Sequence, residues 1–181
     1  MVNGAPKPSS ALPMSMRVSQ RLVERSFFNG LKNMFKGWFG DDKSPTAVLA
    51  IRYGKNFVLS PDDKKVLGLT REDLVEVADY DPVRNSLLYI GKQAPGRFSP
   101  FLWFVFRTFP EVNAVVILPE HKGDVTTLDM DLTYINSKSS LEAMPFFKKN
   151  RAGRISTGET VFLLDSINEA ESVLKKGLNP A

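Results

Sequence analysis

The chain has 181 residues, 43% of them hydrophobic and 24% charged, with a net charge of +4. That length suits one domain plus extensions with a substantial core, and no apolar run approaches the ~18 residues that span a membrane. The absence of cysteine excludes disulfides, thiolate metal sites and a cysteine nucleophile; it fits a reducing, cytoplasmic setting, and the mild basic excess reads as a solubility feature rather than the footprint of a nucleic-acid partner.

Residues 1–16 carry three prolines and no periodicity and are expected to form a flexible N-terminal extension. They lack the charged start and apolar run of a secretory signal, while Arg17, Arg21 and Arg25 just beyond leave organellar targeting as a lesser alternative. From 17 to 39, Leu22, Val23, Phe27, Leu31, Met34, Phe35 and Trp38 recur at helical spacing, which predicts a first core helix. The other reading of this stretch is a basic amphipathic helix on a membrane surface or in a partner groove, with Phe35, Trp38 and Phe39 as contact residues. Gly40 to Pro45 breaks the pattern. Thr46–Tyr53 and Asn56–Leu59 read as a hairpin through Gly54 and Lys55. Ser60-Pro61-Asp62-Asp63 is a turn, Thr70-Arg71-Glu72-Asp73 a capping-box start, and Leu74–Ala78 and Ser86–Ile90 are strands. Ser99-Pro100 opens a helix that is apolar nearly all round to Phe109 and is therefore buried on most sides. Ala114–Leu118 is a buried strand, Leu128–Tyr134 an alternating one, and Ser139 starts a short helix toward Phe147. Thr160–Leu164 is the last strand and Asn168–Lys176 the last helix, ending near Gly177. Such mixing of hairpins and helices predicts an α/β domain whose mainly antiparallel or mixed sheet is covered by helices.

Several segments, in order, resemble the class II aldolase/adducin-like domain family. Ala47 to Tyr53 is similar to the family's "G-N-(I/V)-S-x-R", Phe57-Val58-Leu59-Ser60-Pro61 to its Ser/Thr-Pro turn, and Leu69 to Val77 to "L-T-x-E-D-L-V-x-V". Pro110-Glu111-Val112-Asn113-Ala114-Val115-Val116 resembles "P-(D/E)-x-N-A-V-V", and Val161 to Ala170 the closing strand and helix. The resemblance covers 17–177, leaving 178–181 as a tail, and implies a three-layer α/β/α fold. It also implies a divalent metal held by three histidines, which polarises the oxygens of a sugar-phosphate substrate, and assembly into a homo-oligomer.

The site positions depart from that pattern. The two histidines of the family's "H-x-H" are Ile117 and Pro119, and the third falls near Gly158-Glu159. The "G-N" pair is Ala47-Val48, the phosphate-binding "(S/T)-G" is Asp62-Asp63, and the "P-S-S-E" loop is Pro95-Gly96-Arg97-Phe98. The chain has one histidine, His121, so it cannot supply three. Glu120, His121 and Asp124 could form only a weak metal site and read better as an exposed loop. Asp129 and Asp131 would share a strand face, as an acid/base pair or, more simply, as solvated residues.

The expectation is thus a class II aldolase-like domain without catalytic residues, metal or cofactor, acting as a structural or interaction module in a homo-oligomer or protein complex. A surplus of aromatics in the helices suggests a partner face. The alternative is a metal-independent enzyme or binder of a small anionic ligand that uses the same pocket, with Arg97 gripping the anion together with Arg52 or Lys92.

Overall fold

The computed structural model describes residues 16–19, 21–41, 43–134 and 137–178. Within them nine strands form one sheet in the order β1-β5-β4-β3-β2-β6-β9-β8-β7. The strands are β1 (Met16–Ser19), β2 (Val48–Tyr53), β3 (Asn56–Leu59), β4 (Val75–Asp81), β5 (Ser86–Ile90), β6 (Ala114–Leu118), β7 (Thr127–Leu128), β8 (Ala152–Ile155) and β9 (Thr160–Leu164). Neighbours are antiparallel except the edge pairs β1–β5 and β7–β8. Five helices cover it: α1 (Arg25–Phe39), α2 (Ser99–Thr108), α3 (Ser137–Glu142), α4 (Met144–Lys149) and α5 (Ala170–Leu178).

Side chains alternate across a strand, so each strand feeds two cores. Val115, Ile117, Val161 and Leu163 point to one face, where they meet Phe101, Leu102 and Val105 of α2 and Phe147 of α4. Val116, Leu118, Phe162 and Leu164 point to the other, where they meet Leu31, Phe35 and Phe39 of α1 and Val173 and Leu174 of α5. The result is the expected three-layer α/β/α arrangement. No helix of the described residues is long and apolar enough to cross a membrane.

Two cores also account for the aromatics. Among the described residues only Val83 and Leu141 are large hydrophobics left exposed. The contact residues proposed for a membrane or partner are interior: Phe35 is 1% exposed and Phe39 8%. Trp38 is half-buried on the same core, with its ring centroid 5.6 Å from that of Phe35. The expected partner face on α1 is therefore corrected to a core-facing stripe.

Four local readings differ from the sequence pattern. The helix expected over 17–39 begins only at Arg25, because the chain before it is drawn into the sheet edge beside β5. The strand expected over Leu128–Tyr134 stops at Leu128. Asp131 turns back to accept hydrogen bonds from the backbone N–H and hydroxyl of Thr133, 2.9 and 2.7 Å, an Asx-type turn that ends extended structure. Asp129 and Asp131 consequently share no strand face. β8 had no expectation at all, since its four residues follow directly on the basic end of α4. In α5, Gly177 lies inside the helix rather than after it, and a Cβ there would come 3.0 Å from Pro45 and 3.1 Å from Leu118. The missing side chain lets the helix lie close to the sheet.

A candidate site closed by an internal ion pair

Arg97 sits in the loop before α2. That helix begins with Pro100 in its first turn, as the sequence suggests, but Ser99 turns its hydroxyl back to donate to the Gly96 carbonyl at 2.5 Å. The Tyr134 N–H holds the Arg97 carbonyl at 2.7 Å, and the guanidinium lies 4.9 Å from the centre of the buried Phe98 ring. With its backbone and stem fixed, the guanidinium reaches two carboxylates. Its Nε is 3.3 Å from Asp62, in the turn after β3, and its Nη2 donates to Glu159 at the start of β9. Thr157 donates its hydroxyl to the other oxygen of Glu159, which is 8% exposed.

Gly96 is part of this construction. A Cβ on it would stand 2.7 Å from Asp62 Oδ1, so a larger residue would push the carboxylate away from Arg97. That Oδ1 is buried and accepts no hydrogen bond. Burial raises the pKa of Asp62, and the neighbouring guanidinium of Arg97 opposes the rise. The Tyr134 phenol is likewise raised, by burial and then by the charge on Asp62.

The metal-ligand positions implied by the sequence resemblance lie next to this cluster. Ile117 and Leu118 pair with Val161 and Thr160, so the end of β6 lies beside Glu159. Ile117 is 1% exposed and packed into the core under α2, and neither it nor Pro119 offers a lone pair. Glu159, the one residue of the three with donor oxygens, is engaged by Arg97 and Thr157. The residues do not fit a three-ligand metal site. Among the described residues no three His, Cys, Asp or Glu side chains converge as ligands elsewhere. Glu120, His121 and Asp124 do not do so either; His121 instead lies edge-on to the Phe162 ring at 5.4 Å.

The three cations expected to share an anion are not brought together. Lys92 is at the surface, 2.9 Å from Glu72. Arg52 is at the far end of α2, which at ten residues separates it from the Arg97 loop by roughly 15 Å. There it closes the helix C-terminus. Its guanidinium donates to the carbonyls of Phe106 and Phe109, both at 3.1 Å, and of Val112 at 2.8 Å, and lies 5.0 Å from the Phe106 ring centre. Burial lowers its pKa, with Glu111 opposing. Its role is structural: carbonyls left over at a helix end need donors. Arg52→Leu is expected to cost about 2–3 kcal/mol of stability by orphaning these acceptors, and Arg52→Lys to recover under half of it for lack of a planar fork; urea unfolding of the three proteins measures both.

The partners of Arg97 were visible in the sequence only as losses. Asp62 and Glu159 each replace a residue without negative charge in the family pattern, and an arginine appears between them in the chain. Charges of both signs arriving together at neighbouring site positions are the signal that they touch.

No family model matches the sequence, and no curated protein matches it as a relative. Its fold does match solved structures. A putative aldolase/epimerase/decarboxylase, YgbL from Escherichia coli, superposes with a TM-score of 0.60 at 14% identity over 87% of each chain. An L-fuculose 1-phosphate aldolase gives 0.59 at 11% identity over 87% of this chain and 84% of that one. A sugar-phosphate aldolase from Thermotoga maritima gives 0.57 at 8% identity, covering 85% and 94%. These neighbours belong to the class II aldolase/epimerase superfamily, and at such identities the likeness is one of fold.

Proposed function

We propose that residues 17–177 form a metal-free, non-catalytic class II aldolase-like domain that serves as a structural and interaction module in a cytoplasmic homo-oligomer or protein complex, with 1–16 as an extension and 178–181 as a tail. The observation that carries this reading is the clamping of Arg97 between Asp62 and Glu159 beside Ile117 and Pro119. A fixed guanidinium there supplies a positive charge shared by two carboxylates, and it has neither the exchangeable ligand position nor the Lewis acidity that carbon–carbon bond cleavage on this fold draws from a metal. The alternative, an anionic ligand gripped by Arg97, loses support from the same pairing. Asp62, Asp63 and Glu159 outnumber the one cation, and a phosphate would have to displace a carboxylate to reach it.

Elemental analysis and sedimentation velocity on protein purified without chelator, with a sugar-phosphate cleavage assay in added zinc, test the reading. The expected result is no stoichiometric divalent metal, no cleavage, and a self-associated or hetero-complexed species. Stoichiometric metal or zinc-dependent cleavage would overturn it, and so would a monomer that sediments alone at micromolar concentration.

A further inference from the structure

We propose that His121, Arg154 and Lys176 form a binding site for a small phosphate-bearing anion on the face of the sheet opposite Arg97. The three residues come from the loop after β6, from β8 and from α5; His121 and Lys176 meet one ring, Phe162 of β9, and Arg154 meets the His121 loop. The His121 ring stands edge-on to it with centroids 5.4 Å apart, and the Lys176 ammonium lies 5.7 Å from its centre. Phe162 and Arg154 are on the α1/α5 side of the sheet, because Ala152 pairs with Phe162 and Arg154 with Thr160. Glu159 and Arg97 belong to the other side. The site is therefore independent of the closed one and of the function proposed for it.

Its geometry is held in place before any ligand arrives. Arg154 donates from Nη2 to the carbonyls of His121, at 2.5 Å, and Gly123, at 3.1 Å. That fixes the plane of the guanidinium and leaves N–H donors on Nε and Nη1, on different edges, for an anion oxygen. The imidazole is confined between Phe162 and Gly123, where a Cβ would collide with it. A cavity of about 260 Å³ lined by Thr46, Pro119, Glu120 and Gly177 opens beside the chain neighbours of His121 and Lys176.

The charges are uncompensated. Among the described residues neither Arg154 nor Lys176 has a carboxylate within 4 Å, unlike Arg97 and Arg151. The charged groups around His121 are Lys176 from α5, Arg154 from β8, and Glu120, Lys122 and Asp124 from its own loop; β9 contributes only the Phe162 ring. Burial and then the positive charges of Lys176 and Arg154 hold the imidazole below its ordinary pKa. A bound anion would reverse the electrostatic part of that depression, so anion binding and protonation of His121 favour each other.

His121 is the only histidine, so its imidazole C–H proton resonances report the site alone. The test is to follow them through a titration with inorganic phosphate, and separately with glycerol 3-phosphate, at ionic strength held constant with chloride. The expected result is a saturable shift and a raised His121 pKa. Arg154→Gln and Lys176→Gln should each weaken binding about tenfold or more, with Lys148→Gln, on α4 across the sheet, as an unaffected control. Tighter binding of glycerol 3-phosphate would assign the site to a phosphomonoester, and equal binding to phosphate itself. A shift that chloride alone reproduces, or that survives in the Arg154→Gln, Lys176→Gln double variant with its other resonances still dispersed, would overturn the proposal.

Discussion

Phe35→Ala is expected to lower the free energy of unfolding by about 3–5 kcal/mol, the range for deleting a fully buried aromatic ring. Phe35 is 1% exposed at the centre of the stripe that α1 lays on the sheet, between Leu31 and Phe39 and against Trp38. Besides this stripe, Phe27 packs on Tyr53 with centroids 4.9 Å apart, Lys32 donates to the Leu67 carbonyl at 2.5 Å, and Arg71 holds the Val23 carbonyl just before the helix at 2.6 Å. Loss of the ring should therefore be felt as loosening of the whole helix. Urea unfolding gives the magnitude, and hydrogen exchange of the 25–39 amides gives the location. The same variant separates the two readings of this segment. A core residue destabilises the protein in plain buffer, whereas a membrane-contact residue would leave stability untouched and change only liposome binding.

Arg97→Met should cost about 2–4 kcal/mol near neutral pH. The value lies below the ~3–5 kcal/mol for breaking a fully buried pair because the Arg97 side chain is 38% exposed and partly screened, while Glu159, at 10%, is not. The loss should depend on pH in a defined direction. Asp62 already has a raised pKa, from burial set against Arg97. With the guanidinium gone, that opposition disappears, and Glu159 loses its cation too. A carboxyl whose pKa rises on folding takes up protons on folding. Its contribution is fully present below its unfolded value, near 3.8 for Asp, and is lost as pH rises through the folded value. The variant should thus lie closer to the parent at about pH 4.5 than at about pH 7.5. Adding Glu159→Gln to Arg97→Met should recover part of the loss, because it removes the charge left unpaired. A penalty that is flat with pH and additive in the double variant would mean that the ion pair is not coupled as described.

Periodicity alone located most of the fold. The Ala114–Leu118 strand, the β2–β3 hairpin through Gly54 and the start of α2 at Ser99-Pro100 are short-range patterns, and local preference decided each of them. The absence of three histidines was equally plain, since it needs only a count. Elements at the sheet edges were not legible. β1 and β8 are four residues each, and β7 two; their extended form comes from pairing with β5, β9 and β8 respectively, and the partners of β1 and β7 lie 71–72 and 27 residues away along the chain. Site geometry was beyond the sequence for the same reason. Nothing local says that Arg52 faces three carbonyls at one end of α2 while Arg97 meets Asp62 and Glu159 at the other. The residue types set what charge and donor chemistry this protein has available. Which charges meet was decided by tertiary pairing of β6, β8 and β9, because only the packed sheet brings residues 62, 97 and 159 into ion-pair contact, sets 121 and 176 on the Phe162 ring and lays 154 against the 121 carbonyl.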